Sequence, residues 1–287
     1  MSKKSIAVVL ITLNEGHNLQ SFFDNISEWA SEIFIVDSYS KDDTVDIALK
    51  NNVHIVQHKF LGFGEQWNFA LENLPIKSEW VMKLDPDERM TVELKNSISE
   101  MMENPNLSGM SFKRRLWFMG KPIPIYQEVV RVWKTGKCKF SEVTVNEHPI
   151  IEGKVVKVQG FLEHYDSPSF SHWVEKQNKY STYEALNMYH LNKLSDKPNI
   201  FGTKLQRRMW IKSNFYSIPF RYFFLHIYYY ILCGTWRSGW VGLAWSQSRV
   251  IATRMIEFKF KEMKIKKTLL ESTVSGIGVP DNRVKQY

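Results

Sequence analysis

An α/β fold, with a mainly parallel sheet flanked by helices and a helical, aromatic-rich C-terminal region after it, is what this sequence predicts. Three observations carry that reading. Short apolar, β-prone runs recur at residues 6–13 (IAVVLITL), 33–36 (IFIV), 53–56 (VHIV) and 80–84 (WVMKL). Stretches with helical spacing lie between them, at 18–29, 44–51 and 65–74. Strand and helix in alternation argue for parallel strands joined by crossover helices, and near-continuous apolar runs argue for strands buried on both faces. Third, the last third of the chain gathers aromatic residues among basic ones, in a sequence that no longer alternates.

Taken in order, the first run follows two lysines and leads into Asn14-Glu15, with no small-residue cleavage site, so it reads as a first strand and not a leader. In sheets of this kind ligands bind beyond the carboxyl ends of the strands. The polar residues there are Thr12 and Asn14, then Asp37 and Ser38, then Asp85 and Asp87. Beyond Asp87 the pattern changes to a helix over 92–103 and strands at 109–112 and 129–133, with Lys113-Arg114-Arg115 between. Residues 140–166 read as a strand and its rim, and 169–192 as a helix. The polar stretch 196–202, with its Pro and Gly, is the boundary candidate. The division expected is a catalytic domain over 1–195, its nucleotide half about 1–90 and its acceptor half about 91–195, followed by a helical region over 196–287.

The helical region combines Arg207, Arg208 and Lys212 with Trp210 and Phe215, then runs through YFFLHIYYYILCGTWRSGWVGLAW. His226, Arg237 and the break at 234–239 leave it short of the ~20 apolar residues of a straight spanning helix, so an interfacial or re-entrant helical pair is expected. The alternative is an apolar hairpin packed on the catalytic domain or in a dimer interface, which keeps a homo-oligomer open. Aromatic residues make up 14% of the chain, ten of them Trp, and Trp and Tyr favour membrane interfaces. The net charge of +8 calls for an anionic partner without choosing between phosphates, acidic lipid and nucleic acid. Cys138 and Cys233 lie far apart and lack zinc spacing, which fits a reducing cytoplasm.

Asp85-Pro86-Asp87 is the pattern with most chemical content. The apolar run before it reads as a buried strand and the proline stops it, which leaves two carboxylates on a rim loop. Paired hard oxygen ligands suit Mg²⁺ or Mn²⁺, ions that keep one or two protein carboxylates and take their remaining ligands from substrate phosphates. For an isolated Asp-x-Asp the alternative is a solvated turn.

The order and spacing of ITLNEGHNL at 11–19, IVDSYSKDDTVDIA at 35–48, FGEQWNFAL at 63–71 and MKLDPDE at 82–88 resemble the inverting family-two glycosyltransferases of GT-A (Rossmann-like) fold. Within that family the chain looks most like the branch serving lipopolysaccharide core, O-antigen or capsule assembly. The resemblance covers the first 190 residues and continues in the tail, where Arg237-Ser238-Gly239 replaces the Asp-Gly pair common in the branch.

The resemblance implies roles residue by residue. Thr12, Asn14 and Glu15 line the nucleotide pocket, and Asp37 hydrogen-bonds base or ribose with Ser38 and Ser40 nearby; a turn or N-cap role is the alternative for Asp37. Gln66 and Asn68 face the nucleotide, unless they simply occupy an exposed helix face. Asp85 meets ribose and metal, Asp87 is the firmer metal ligand, and His164 completes the metal shell, or else is a buried histidine bonded to backbone. Arg131 and the triplet 113–115 neutralise diphosphate or an anionic acceptor, a solvated face being the alternative for the triplet. His148 orients the base or binds phosphate. The general base falls on Glu147, with Glu142 and Glu163 as rivals and an ion pair with Arg131 as the structural alternative.

The function so implied is metal-dependent transfer of one sugar from a nucleotide-sugar donor, most often a UDP-sugar, to a lipid-linked saccharide at the cytoplasmic face of a bacterial inner membrane, by a peripheral or monotopic protein. A polyprenyl-phosphate sugar synthase is the second enzyme reading. A basic nucleic-acid-binding protein or a membrane scaffold is the reading from another class; carboxylates converging on one sheet edge repel nucleic acid, so no nucleic-acid partner is expected.

Overall fold

The computed structural model describes residues 4–141, 148–189, 198–267 and 278–287. The boundary expected at 195/196 lies outside the described residues. The described residues fall into two compact units, the first drawing on residues 4–116, 126–141, 148–165 and 278–287, the second on 117–125, 166–189 and 198–267.

The first unit begins β1 (Lys4–Thr12), α1 (Gly16–Ile26), β2 (Ala30–Asp37), α2 (Thr44–Lys50), β3 (His54–Gln57), α3 (Phe63–Asn73) and β4 (Trp80–Lys83). After β4 come β5 (Glu88–Met90), α4 (Val92–Met101), β6 (Gly109–Phe118), β7 (Lys121–Lys134), β8 (Cys138–Phe140), β9 (Pro149–Ile151) and β10 (Val155–Tyr165). Residues Lys285–Gln286 return as β11. The nine-stranded sheet runs β11-β3-β2-β1-β4-β7-β6-β10-β5. It is parallel from β11 through β4, and β7 joins β4 antiparallel. A separate antiparallel pair is formed by β8 and β9.

The sequence folds this way because β1 has no polar face to show. Ile6, Val8 and Leu10 pack on one side with Leu19, Phe22, Phe23 and Ile26 of α1, while Ala7 and Val9 pack on the other with Phe34, Trp67, Ala70 and Trp133. Alternate residues thus enter two separate cores, which requires helices on both faces. At ~25 cal/mol per Å² such double burial makes the central strand the most costly part of the sheet to expose.

The second unit contains α5 (Phe170–Tyr189), α6 (Lys204–Asn214), α7 (Arg221–Ile227) and α8 (Gly239–Lys266). Thr203 and Gln206 form a reciprocal capping box that starts α6. A π-helical turn, Tyr228–Leu232, and a 3₁₀ turn, Thr235–Ser238, link α7 to α8. Arg221 donates to both oxygens of Glu257 at 2.7 and 2.6 Å, and Lys261 pairs with Glu257 at 2.6 Å. Burial alone raises the Glu257 carboxyl, but hydrogen bonds from Arg221, Lys261 and Tyr222 bring it down to about 2. Among the described residues no helix is long and apolar enough to cross a membrane. Large apolar side chains nevertheless face outward along 220–240, with Phe220 78%, Leu232 73% and Trp240 69% exposed.

Candidate active site

The parallel strands β1, β2 and β4 end in Thr12, Asp37 and the loop that carries Asp85 and Asp87, and the loops after β1 and β2 are tied together by hydrogen bonds. At the end of β2, Asp37 is fully buried. Its Oδ1 accepts from Thr12 Oγ1 at 3.0 Å and from Ser40 Oγ, and its Oδ2 accepts from Ser40 N at 3.0 Å and Gln57 Nε2 at 2.7 Å. A carboxylate has about four acceptor positions, so protein donors fill this one. Asn14, in the left-handed region at φ 57°, donates its N–H to Ser40 Oγ at 2.8 Å and accepts from Lys41 N at 2.7 Å. Glu15 N donates to Thr44 Oγ1 at 2.9 Å. The loops after β1 and β2 therefore behave as one rim.

Gln66 on α3 is fully buried, donating to Ser38 Oγ at 3.2 Å and meeting His58 Nδ1 at 3.0 Å. Asn68 exchanges two hydrogen bonds with the Phe140 backbone, at 3.0 and 2.8 Å. These bonds turn both amides toward protein groups, Gln66 under the rim and Asn68 toward β8.

The sequence Asp85-Pro86-Asp87-Glu88 forms a β-turn closed by Glu88 N to Asp85 O at 3.0 Å, with proline at the second position, where its fixed φ belongs. The Glu88 side chain bends back to accept from Asp85 N at 3.0 Å. Arg131, buried on β7, donates one nitrogen to Asp85 Oδ2 at 2.8 Å and to Glu88 Oε1 at 3.0 Å, and Arg114 reaches Glu88 Oε1 at 3.1 Å. Burial alone pushes Asp85 up, but Arg131 and Lys83 hold it well below the usual carboxylate range. Burial and the adjacent Asp85 charge raise Glu88 in spite of its two arginines. Lys83 is itself buried, its ammonium 4.4 Å from the centre of the Trp67 ring.

Pairing of β5 with β10 sets Glu88 opposite His164, and Tyr165 N donates to Asp87 O at 2.8 Å. That register brings His164 Nε2 to 3.2 Å from Asp87 Oδ2. Burial lowers the imidazole pKa less than the hydrogen bond and charge of Asp87 raise it, so the net direction is upward. Asp166 comes two residues after His164, and ligand atoms of Asp87, His164 and Asp166 lie within 4.8 Å of one another. Two carboxylates and an imidazole form a hard oxygen and nitrogen donor set that fits Mg²⁺ or Mn²⁺. Asp85 falls outside this group, turned to Arg131.

Sequence reasoning passed over Asp166, although His164-x-Asp166 repeats the spacing of Asp85-x-Asp87 at another strand end. It also passed over Glu88. Of the expected acceptor-side groups, Glu163 is held by Arg115, whose Nε lies 3.0 Å from Glu163 Oε2, and Arg114 is committed to Glu88. Glu147 and Glu142 lie outside the described residues.

A carboxylate–imidazole group at the carboxyl edge of a parallel sheet, beside a hydrogen-bonded rim, defines an α/β domain suited to phosphate-bearing ligands. Residues 7–141, a little under half of the chain, match the family model described as Glycosyl transferase family 2. The chain is similar to the uncharacterized glycosyltransferase RP128 of Rickettsia prowazekii (strain Madrid E), 25% identical over 198 residues that span 63% of this chain and 67% of that one. Among solved structures it is similar to S. aureus TarS 1–349 in complex with UDP-GlcNAc, at 13% identity and TM-score 0.46, over 90% and 91% of the two chains. A glucosyl-3-phosphoglycerate synthase from Mycobacterium tuberculosis, in complex with Mn²⁺, UDP and glucosyl-3-phosphoglycerate, matches at 21% identity and TM-score 0.31, over 39% of this chain and 44% of that one. The match thus spans less than half of the mycobacterial chain.

Proposed function

We propose that this protein is an inverting glycosyltransferase that moves one sugar from a UDP-sugar to a lipid-linked saccharide in the assembly of bacterial surface polysaccharide or lipopolysaccharide. The observation that supports it most is the Asp87, His164 and Asp166 set beside the rim of Asn14, Asp37 and Ser40, within and directly after a family-two domain. Asp87, His164 and Asp166 would hold Mg²⁺ or Mn²⁺, which would supply positive charge to a departing diphosphate. Arg131 keeps Asp85 ionised and aimed at the same edge. Thr12, Asn14, Glu15 and Ser38 wall the nucleotide pocket, with Gln66 and Asn68 bracing it from beneath.

Glu147 takes the proton of the acceptor hydroxyl as that oxygen attacks the anomeric carbon. The bond from that carbon to the diphosphate oxygen breaks, and the configuration inverts. Membrane contact rests on residues 204–267, where thirteen Lys or Arg stand against two acidic residues, and on the outward apolar row at 220–240. Such a segment lies in an anionic interface without spanning it.

The test is binding and hydrolysis of UDP-, GDP-, CMP- and dTDP-sugars by purified protein with Mg²⁺, Mn²⁺ or EDTA. Metal-dependent preference for a UDP-sugar is expected. A folded protein that binds none of them is not a transferase of this kind. Flotation with phosphatidylglycerol vesicles checks the membrane reading, with Leu232→Ser and Trp240→Ser together expected to weaken binding at least about tenfold, given roughly 0.8 kcal/mol per buried CH₂.

A further inference from the structure

The described end of the chain returns to the first unit and meets the donor rim. Gly278 N donates to Tyr39 O at 2.6 Å, in the loop directly after Asp37. A Cβ at Gly278 would stand 3.0 Å from the carbonyl oxygens of Tyr39 and Ser40, a close approach that a side chain would press on. Asp281 N and Gln286 Nε2 then donate to one atom, Gln57 Oε1, at 2.7 and 3.0 Å. The other end of the Gln57 amide donates to Asp37 Oδ2. Gln57 is fully buried.

A continuous hydrogen-bonded line therefore runs from residues 281 and 286 through Gln57 to the carboxylate that organises Thr12 and Ser40. The segment is built in as part of the sheet. β11 pairs with β3, Val284 is 5% exposed within the apolar core, and Tyr287 N donates to Gln57 O at 3.0 Å. A lid that must leave for each turnover has no reason to bury a valine in the core.

We propose that residues 278–287 form a strap of the donor site, and that Gln57 is a positioning residue through which the strap holds Asp37 and the rim in their nucleotide-binding arrangement. The inference rests on the donor-site reading above. It assigns nucleotide affinity to the tail, which carries none of the family's donor motifs.

The experiment is calorimetric titration of the full chain, Gln57→Met, Gln286→Ala, a chain ending at residue 277, and the double variant that combines Gln57→Met with that truncation, using UDP with MnCl₂ as the probe. Gln57→Met and the truncation are each expected to weaken UDP at least tenfold, and Gln286→Ala to weaken it two- to threefold. The double variant is expected to bind no worse than either single one, because both cut the same line. A general loss of fold predicts instead multiplicative losses that track the melting temperature, and that pattern overturns the proposal. So does UDP affinity unchanged in folded Gln57→Met and Gln286→Ala. Failure of the full chain to bind UDP at all is a distinct result, which brings down the donor-site reading and the strap with it.

Discussion

Asp37 and Asp85 stand at the ends of β2 and β4, on either side of β1, and are compensated in opposite ways. Asp37 is surrounded by uncharged donors, the hydroxyls of Thr12 and Ser40, an amide of Gln57 and one backbone N–H. Asp85 and its neighbour Glu88 are answered by guanidinium groups. Neutral donors fix a carboxylate by geometry, so the first cluster shapes a rim. Arginines balance charge, so the second can keep several anions together beside a cation site. The contrast teaches that one sheet edge is divided between a carboxylate fixed by neutral donors and carboxylates balanced by charge.

The predictions test that division, from the largest effect to the smallest. Asp87→Ala on the charged side is expected to remove transfer to below detection and to abolish the metal dependence of UDP binding, with circular dichroism unchanged; retained transfer refutes the metal assignment. Arg131→Met leaves Glu88 buried with less compensation and is expected to cost about 3–5 kcal/mol in urea denaturation, with most of that recovered by adding Glu88→Gln. No recovery in the double variant means that the arginine acts by packing alone. Glu147→Gln is expected to lower kcat by about 10²-fold while UDP affinity holds, which separates proton removal from both clusters.

The smallest effect extends the comparison to the second unit, where Glu257 is also held by cationic partners. Its carboxyl lies at about 2 folded against an ordinary 4.5. A depressed carboxyl contributes stability that is present in full above about pH 4.5 and lost as the pH falls toward 2, on the order of 2–3 kcal/mol here. Glu257→Gln is expected to flatten that part of a melting-temperature curve, and an unaltered acid limb rules out the ion pair as its cause.

Strands β1 to β4 were legible because each holds a short apolar run that no solvent-facing element would need; the runs at 6–13, 33–36, 53–56 and 80–84 each overlap one of them, with β2 extending beyond its run to Ala30–Asp37. The interruption read at 234–239 holds the 3₁₀ turn that separates α7 from α8. β11 was not legible, since two residues carry no periodicity and their pairing depends on where β3 leaves an open edge. Asp166 escaped because a carboxylate after a strand has no signature until β5 and β10 are in register. The bonding of Asp37 was hidden for the same reason, as Gln57 lies 20 residues away and is fixed by a segment more than 220 residues away.

Gly160, on β10, has φ +93°, and a Cβ there would come within 2.4 Å of the Leu94 backbone nitrogen in α4. Any side chain at this position must therefore push α4 and β10 apart, and β10 is the strand that carries His164 four residues later. A misplacement of about 1 Å is enough to lose two orders of magnitude in rate. In a screen that scores variants only by survival of function, Gly160 is expected to rank with Asp87 and His164, the proposed metal ligands. A map of intolerant positions on this protein will accordingly trace the backbone that aims His164 as clearly as the proposed ligand atoms themselves.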